Sequence, residues 1–262
     1  MTYARHSKKS RTSWGLIFIG LVAGLILAGR LWQAAGRSQW RGRHEFSYVE
    51  QRGDKLTVHT LLPEYAKAID WKIPGRLPVE TAFGYGPYQW KNVFALGQID
   101  HRGGLTLMRT SQEALGLAIK GWQADRQTNL SWLDRIKWWY WSKFRVEAKL
   151  TLDLNQKPDW QTSNLVNEQV FSQEAAGESL SLSLVNGRNL SRVIANHGIE
   201  LVSVVSTAAV PETTTIYVKD PGRIDSATVS WLKMLLPEAE VKAGPVDGYW
   251  SDLVLLAGKD YN

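Results

Sequence analysis

An uncharged run of sixteen residues, "WGLIFIGLVAGLILAG" (residues 14–29), is the strongest constraint on how this chain folds. At about 1.5 Å per residue it makes a helix of roughly 24 Å, and extension to Trp32 gives about 28 Å, close to the ~30 Å of a hydrocarbon core. Trp14 and Trp32 would then lie at the two membrane interfaces, where amphipathic rings are enriched. The run therefore predicts a transmembrane helix over residues 14–32.

A cleaved signal peptide and a buried core helix are the alternatives. The run is long for the apolar part of a signal peptide, and "LWQAAGRS" after it is a poor cleavage site. A core helix would not be flanked by basic residues on both sides. The short N-terminal flank favours a cytoplasmic N-terminus. We therefore expect a single-pass protein of the cell membrane, with a basic cytoplasmic tail over residues 1–13 and the bulk of the chain outside the cytoplasm.

Positive charge is concentrated on both sides of this run. The chain has 31 basic and 25 acidic residues, but eight of the basic ones lie within residues 1–44, which contain no acidic residue. The rest of the chain is therefore near neutral. A nucleic-acid-binding domain concentrates positive charge on its folded surface, so we expect no nucleic-acid partner. The basic flanks are expected to attract anionic lipid; they are Arg5, Lys8, Lys9, Arg11, Arg30, Arg37, Arg41 and Arg43.

The segment "IKWWYWSKF" (residues 136–144) places four aromatic residues in succession between two lysines. Ser131, followed three positions later by Asp134, predicts that a helix begins there. One apolar face of this helix would contain Leu133, Ile136, Tyr140 and Phe144. Three tryptophans add more apolar area than one core face needs. Packing inside the domain and contact with a membrane interface both remain open for these rings, whereas base stacking would need a positively charged surface.

Two folded units are predicted after a linker at residues 33–45. In the first unit, residues 46–155, the turn "RGD" joins two strands, and the second of three predicted helices ends near Gly116 before a further strand. Residues 156–178 are polar, lack periodicity and are predicted to be a linker. In the second unit, residues 179–262, the order β-α-β-β-α-β is typical of a split-βαβ domain. The expected fold class is α+β: an N-terminal transmembrane helix, a mixed α/β domain and a small split-βαβ domain.

The second unit contains four segments with a recognisable pattern: "LSLSLVNGRNLSRVIANHGIELVSVV", "TTTIYVKDP", "WLKMLLPEAEV" and "PVDGYWSDLVLLAGKDY". In these segments it resembles the LytR C-terminal domain, a module that accompanies the LytR-CpsA-Psr proteins of the bacterial envelope. That family usually has a longer glycine-rich passage after its Asn-Gly pair. Here the passage is reduced to "RN", so a ligand-binding role of that loop is not implied.

The first unit resembles a reduced LytR-CpsA-Psr catalytic domain in "LTVHTLLPEYA", "FGYGPYQWKNVFALGQ" and "GLTLMRTSQEALGLAIKGW". The full enzymes of that family join undecaprenyl-pyrophosphate-linked glycopolymers to peptidoglycan. Their turn after the second strand supplies an arginine and an aspartate, and Glu64 and Tyr65 stand at these positions here. Phosphoryl transfer needs cations over the phosphates and carboxylates that hold a metal or take a proton. The two replacements therefore predict that catalysis is lost.

The resemblance implies a membrane-anchored envelope protein that binds wall glycopolymer, lipid-linked glycan or an envelope protein without catalysis. The alternatives are a divergent phosphotransferase, which attaches polyprenyl-pyrophosphate-linked glycan to peptidoglycan, and a scaffold without glycan contact. Predicted partners are the lipid bilayer, cell-wall glycan and envelope proteins.

No catalytic residue is predicted from the sequence. The candidate ligand-contacting residues are Arg102, Arg109, Arg145, Tyr85 and Asn186. The five histidines show no metal-ligand spacing and the chain has no cysteine, so neither a metal nor a cofactor is predicted.

Overall fold

The computed structural model describes residues 12–40, 44–154 and 160–261. The α-helices in these ranges are α1 (Thr12–Gly36), α2 (Trp90–Ile99), α3 (Gly104–Leu115), α4 (Trp132–Phe144), α5 (Trp160–Val170), α6 (Gln173–Gly177), α7 (Ser191–Asn196) and α8 (Ala227–Leu235). The strands are β1 (Phe46–Arg52), β2 (Lys55–Leu62), β3 (Lys67–Pro74), β4 (Pro78–Thr81), β5 (Gly86–Gln89), β6 (Ile119–Ala124), β7 (Gln127–Thr128), β8 (Ala148–Asp153), β9 (Ser181–Val185), β10 (Glu200–Val205), β11 (Thr215–Val218), β12 (Glu240–Ala243) and β13 (Leu253–Leu256).

Part of the sequence prediction falls outside the described residues. This applies to most of the predicted cytoplasmic tail, to part of the linker after the apolar run and to residues 155–159, where the second predicted linker begins. The basic residues concerned are Arg5, Lys8, Lys9, Arg11, Arg41 and Arg43.

The first sheet has six strands in the order β7-β6-β1-β2-β3-β8. β1 and β2 form the hairpin predicted around "RGD", in which Arg52 lies opposite Lys55. β3 extends this hairpin in antiparallel fashion, whereas β6 and β8 pair in parallel with β1 and β3. β4 and β5 form a separate antiparallel pair that leads into α2.

Both faces of the first sheet are covered. One face packs against α2, α3 and α5 around Trp71, Trp90 and Leu107, which are fully buried. The other face packs under α4 and under the segment that follows α1, around Trp40 and Phe46. Burial of an apolar side chain of this size contributes about 1.5–3 kcal/mol. The first unit is therefore a sheet between two helical layers.

α4 begins with the capping box predicted from Ser131 and Asp134. The Asp134 backbone N–H donates to Ser131 Oγ (3.1 Å), and the Ser131 backbone N–H donates to Asp134 Oδ2 (3.0 Å). Asp134 is buried and also accepts hydrogen bonds from Ser38 Oγ and from the backbone N–H groups of Gln39 and Trp40. This one carboxylate therefore ties the segment after α1 to the first turn of α4.

The rings of α4 divide between two sides of the helix. Trp138 and Trp141 pack against the sheet, as the packing interpretation predicts, and the centroids of the Trp138 and Tyr48 rings are 5.1 Å apart. The predicted apolar face points outward instead, since Tyr140 and Phe144 are 47% and 58% exposed. α4 therefore packs inward through Trp138 and Trp141.

The second sheet has five strands in the order β10-β9-β13-β11-β12. β9 and β10 are parallel neighbours with α7 between them in the chain, and β11 and β12 are parallel neighbours joined through α8. A split-βαβ unit would have another strand between its two parallel strands, so the predicted topology is wrong. Instead, β13 joins two unsplit βαβ units, parallel to β9 and antiparallel to β11. β12 has only four residues, three of them exposed, so it is too short to be identified from its alternation alone.

The transmembrane helix predicted over residues 14–32 is also wrong. α1 contains the apolar run, but no helix within the described residues is long and apolar enough to cross a membrane. The uncharged run covers only sixteen residues, or roughly 24 Å of helix, against ~30 Å of hydrocarbon. Extension to the needed length has to include the charged Arg30.

Helices occupy most of the linker predicted at residues 156–178. α5 packs onto the first sheet through Val166 and Val170, which are buried and four positions apart. Ser172 caps α6, with the Ala175 backbone N–H donating to Ser172 Oγ (3.3 Å). The mostly polar composition of this segment therefore does not reveal the two buried valines that hold α5 against the first sheet.

α3 lies between the two sheets and contacts α7 of the second unit. Gly116 follows α3 in a left-handed conformation (φ +69°), and a Cβ atom there would collide with the side chains of Arg192 and Asn196. Arg192 Nη1 donates to the Ala114 carbonyl oxygen (2.8 Å), and Asn196 Nδ2 donates to the Gly116 carbonyl oxygen (3.1 Å). Glycine at this position therefore ends the helix and also allows the second unit to approach.

A buried hydrogen-bonded contact joins the residue before β1 to the end of α7. His197 Nε2 lies 2.5 Å from Glu45 Oε2, and the two side chains are 1% and 8% exposed. His197 Nδ1 lies 2.7 Å from the Val193 carbonyl oxygen, which is also an acceptor. Both ring nitrogens of His197 therefore face an acceptor oxygen, so the buried ring is held from two sides.

Glu45→Gln and His197→Gln should each lower the free energy of unfolding by about 1–3 kcal/mol, because each disturbs a buried hydrogen bond and leaves the other side chain without its partner. Urea denaturation followed by circular dichroism measures this. The exposed Glu147→Gln is the matched control and should change the value by no more than about 0.5 kcal/mol. The double variant should lose less than the sum of the two single losses, and strictly additive losses would contradict the pairing.

Candidate functional site

A cavity of about 260 Å³ opens between α3 and the second unit. We call it the arginine-lined cleft, and its walls are Phe83, Arg102, Arg109, Glu113, Asn189 and Tyr261. Arg109 and Glu113 are four positions apart on α3, so their side chains leave the same face of the helix. Asn189 and Tyr261 come from the second unit. The cleft therefore exists only where the two units meet.

Arg109 is held by an aromatic face. Its guanidinium carbon lies 4.2 Å from the centroid of the Tyr261 ring, which is cation–π geometry. Arg109 Nε is buried and has no hydrogen-bond partner among the described residues. A buried donor without an acceptor typically costs about 1–3 kcal/mol. An acceptor atom brought in by a ligand would remove that cost.

Arg102 enters the cleft from the loop between α2 and α3. Its guanidinium carbon lies 4.0 Å from the centroid of the Phe83 ring, and its Nε donates to Asp100 Oδ2 (2.9 Å). The Tyr85 hydroxyl donates to the same carboxylate oxygen, and this bond, together with Arg102, lowers the pKa of Asp100. Phe83 has φ +65°, a strained conformation for a bulky residue. The strained backbone of Phe83 thus places the Phe83 ring against the Arg102 guanidinium group.

Glu113 gives the cleft a group that titrates near neutral pH. Burial raises the pKa of Glu113 from 4.5 to about 7, against the opposing effects of the Arg109 charge and of a hydrogen bond from Asn189 Nδ2 (3.0 Å). Burial also raises the pKa of Tyr261 to about 12, so its phenol stays protonated. Two guanidinium groups beside an acid with a shifted pKa form an arrangement typical of functional sites.

The structure brings three of the five candidate ligand-contacting residues together. Arg102 and Arg109 line the cleft, and Tyr85 bonds to the aspartate that holds Arg102. Arg145 lies at the end of α4, with its guanidinium carbon 5.3 Å from the Trp141 ring.

The remaining candidate, Asn186, lies in the turn after β9 and does not line the cleft. Its Nδ2 donates to Thr207 Oγ1 (3.0 Å), and its Oδ1 accepts from the Thr207 backbone N–H (2.7 Å). Asn186 therefore fixes a loop of the second unit.

Four cleft residues are not among the sequence candidates: Phe83, Glu113, Asn189 and Tyr261. The spacing of Glu113 from Arg109 is a usable sequence signal, since positions four apart in a helix are neighbours. Asn189 is the second residue of the "RN" pair (Arg188 and Asn189), which stands where the LytR C-terminal domains that this unit resembles have a longer glycine-rich passage. Tyr261 carries no local signal, because its role depends on the contact between the units.

A second cavity, of about 310 Å³, contains the turn after β2. Glu64 and Tyr65 lie in its wall, at the positions where the resembling family has arginine and aspartate. Its described lining includes no lysine or arginine, and its other acidic residues are Glu45, Glu174 and Asp225. Like charges repel, so this cavity disfavours a phosphate group. No three metal-ligating side chains form a cluster within the described part of the chain.

No protein-family model matches the sequence, and no curated protein matches it. Similar solved structures include members of the LytR-CPS2A-psr family. TagT with bound octaprenyl pyrophosphate lipid is 13% identical over 43% of this chain and 78% of that chain, with a TM-score of 0.36. TagT bound to LIIa-WTA is 11% identical over 49% of this chain and 90% of that chain, with a TM-score of 0.41. TagV from B. subtilis is 20% identical over 32% of this chain and 37% of that chain, with a TM-score of 0.27. At these low values the likeness does not place the chain in that family.

Replacing Glu113 should change how stability depends on pH. The pKa of Glu113 is higher in the folded protein than in the unfolded chain, so its contribution to stability is complete below about pH 4 and is lost as the pH rises through 7. Glu113→Gln should therefore be more stable than the unsubstituted protein at pH 8, by about 1–3 kcal/mol after allowance for solvent screening. At pH 4 the two should be equal. Urea denaturation at several pH values measures this, and an equal difference at both pH values would contradict it.

Proposed function

We propose that this chain is a non-catalytic protein of the cell envelope that acts outside the cytoplasm. In this proposal the arginine-lined cleft binds a phosphate group of a wall glycopolymer or of its lipid-linked form. The observation that carries the proposal is the convergence of Arg102 and Arg109 on one cavity, where Arg109 Nε is buried without an acceptor. Phosphate oxygens are the acceptors that guanidinium groups bind best.

The dimensions of the cleft suit a head group. Its volume of about 260 Å³ is below the usual range for drug-sized ligands, so a long glycan or prenyl chain would extend beyond it. Asn189 and the Tyr261 hydroxyl add neutral polar groups beside the two cations. A phosphate next to a sugar would meet charged donors on one side and neutral ones on the other.

The envelope assignment is supported by the sequence resemblance of both units to LytR-CpsA-Psr proteins. Two of the similar TagT structures hold an octaprenyl pyrophosphate lipid and LIIa-WTA, so a polyprenyl pyrophosphate is the first ligand to test. The assignment to a phosphate ligand does not depend on those structures. It depends on the charges and the unpaired donor in the cleft of this chain.

The absence of catalysis is supported by the acidic cavity around Glu64 and Tyr65. In the enzymes that this unit resembles, the turn supplies a cation and a carboxylate. Here the described wall has four carboxylates and no lysine or arginine. A pyrophosphate placed there would be repelled. Arg102 and Arg109 line the other cavity instead.

A divergent phosphotransferase is the second candidate, and one observation favours it. Glu113 has a pKa of about 7 and lies beside two arginines, which suits a general base at neutral pH. Such a base could take a proton from an attacking hydroxyl while the arginines hold the phosphates.

Arg102→Gln and Arg109→Gln should each lower the affinity for polyprenyl pyrophosphate in detergent roughly 10- to 100-fold, since each removes one charge-assisted contact of about 1.5–3 kcal/mol. Isothermal titration calorimetry with the full chain measures this. Arg76→Gln is the matched control, because Arg76 is exposed and does not line the cleft. Its affinity should be unchanged, and equal affinities of Arg109→Gln and the unsubstituted chain would refute the proposal.

A transfer assay separates the two candidates. Incubation of the full chain with radiolabelled lipid-linked glycan and peptidoglycan should give binding without covalent transfer, because the acidic cavity lacks the cation that the reaction needs. Transfer that disappears in Glu113→Gln, while binding remains, would establish the enzyme instead. Glu147→Gln serves as the control for the loss of one exposed carboxylate.

A further inference from the structure

The outward side of α4 has a continuous row of large apolar side chains. We call this row the aromatic stripe; it contains Trp132, Ile136, Trp139, Tyr140 and Phe144, which are 40%, 51%, 55%, 47% and 58% exposed. Their spacing of three or four positions places them along one side of the helix. The inward contacts of α4 are already made by Trp138 and Trp141. The stripe is therefore not needed to hold the helix on the sheet.

A row of this kind differs from scattered exposed residues. Single exposed apolar side chains are normal on soluble proteins, whereas contiguous ones mark a surface that contacts another phase or molecule. Trp139 and Tyr140 both contact Phe144, with ring centroids 5.5 and 5.6 Å apart. The rings therefore form one patch.

The charges next to the stripe are positive. Arg135, Lys143 and Arg145 are exposed, and Lys143 Nζ lies 5.8 Å from the Trp139 ring centroid and 6.0 Å from that of Phe144. Asp134, the one acidic residue in the sequence of α4, is buried by its hydrogen bonds. The exposed charged side chains on and next to this helix are therefore positive.

A second apolar surface is tied to the first. The segment after α1 is hydrogen-bonded to Asp134 at the start of α4. α1 also exposes large apolar side chains, among them Phe18, Leu25 and Trp32. The exposed apolar surfaces of α1 and α4 are thus linked through the hydrogen bonds of Asp134.

We propose that the aromatic stripe is a peripheral docking surface for a lipid bilayer that contains anionic lipid. The rings would lie at the boundary between head groups and acyl chains, where tryptophan and tyrosine are favoured, and Arg135, Lys143 and Arg145 would contact lipid phosphates. A neutral glycan would account for the rings but not for the cations beside them. Anionic lipid accounts for both. This contact is independent of the cleft and does not require any helix to cross the bilayer.

A site-specific fluorescent label tests which residues enter the bilayer. The chain has no cysteine, so Tyr140→Cys and Trp250→Cys each give a single labelling position in the full chain. Trp250 is 91% exposed in the second unit and is the matched control. With vesicles of phosphatidylcholine and phosphatidylglycerol, the label at position 140 should shift to the blue and be quenched by brominated lipid. The label at position 250 should do neither. A water-exposed label at position 140 on vesicle-bound protein would overturn the proposal, as would equal responses at the two positions.

Vesicle sedimentation measures how much the stripe and the neighbouring charges contribute to membrane binding. Trp139→Ser combined with Phe144→Ser should lower the partition coefficient at least tenfold, and Lys143→Gln should lower it about fivefold at low salt. Trp250→Ser should leave it unchanged. Circular dichroism of each variant checks that the fold is kept. An unchanged partition coefficient in the double variant, or equal binding to vesicles of pure phosphatidylcholine, would overturn the proposal.

Discussion

The contact between α3 and α7 is the constraint on which the cleft depends. Arg109 and Glu113 belong to the first unit, whereas Asn189 and Tyr261 belong to the second, so none of the four forms a site by itself. The helices can approach because Gly116 has no side chain, and the backbone carbonyls exposed at the end of α3 then accept hydrogen bonds from α7. The chemistry of the cleft is thus a property of the contact between the units and not of either sheet.

Two cavities of opposite charge lie between the units. The arginine-lined cleft contains two guanidinium groups and one carboxylate, whereas the described lining of the other cavity contains four carboxylates, two histidines and no lysine or arginine. The buried pair of Glu45 and His197 belongs to the acidic cavity, so this cavity has a structural role in joining the units. Fields of opposite sign direct an anion to one opening and away from the other. The two cavities at the contact between the units therefore favour ligands of different charge.

The sequence predicts local structure where a single residue determines it. The end of α3 follows from Gly116, and the start of α4 follows from Ser131 and Asp134. Periodicity also identifies the residues that share a face of α4, but this helix has two apolar sides. Only the shape of the sheet beneath decides that Trp138 packs inward and Tyr140 does not. In the second unit the sequence predicts both helices but misses the short strand β12. The position of β13 between the two βαβ units depends on contacts between residues that are distant in the chain. Arg102 and Arg109 could be suspected from charge, but Tyr261 meets Arg109 only after the units dock.

The way in which Arg109 is held has a consequence for ligand exchange. The Tyr261 ring fixes the plane of the guanidinium group, and Nε is left without an acceptor. A ligand can therefore be accepted without first separating Arg109 from an ion pair, and little side-chain entropy is lost on capture. Free and occupied forms should have nearly the same geometry. Compounds that share a phosphate should then be captured at similar rates and differ mainly in residence time, which is set by the contacts made beyond the phosphate.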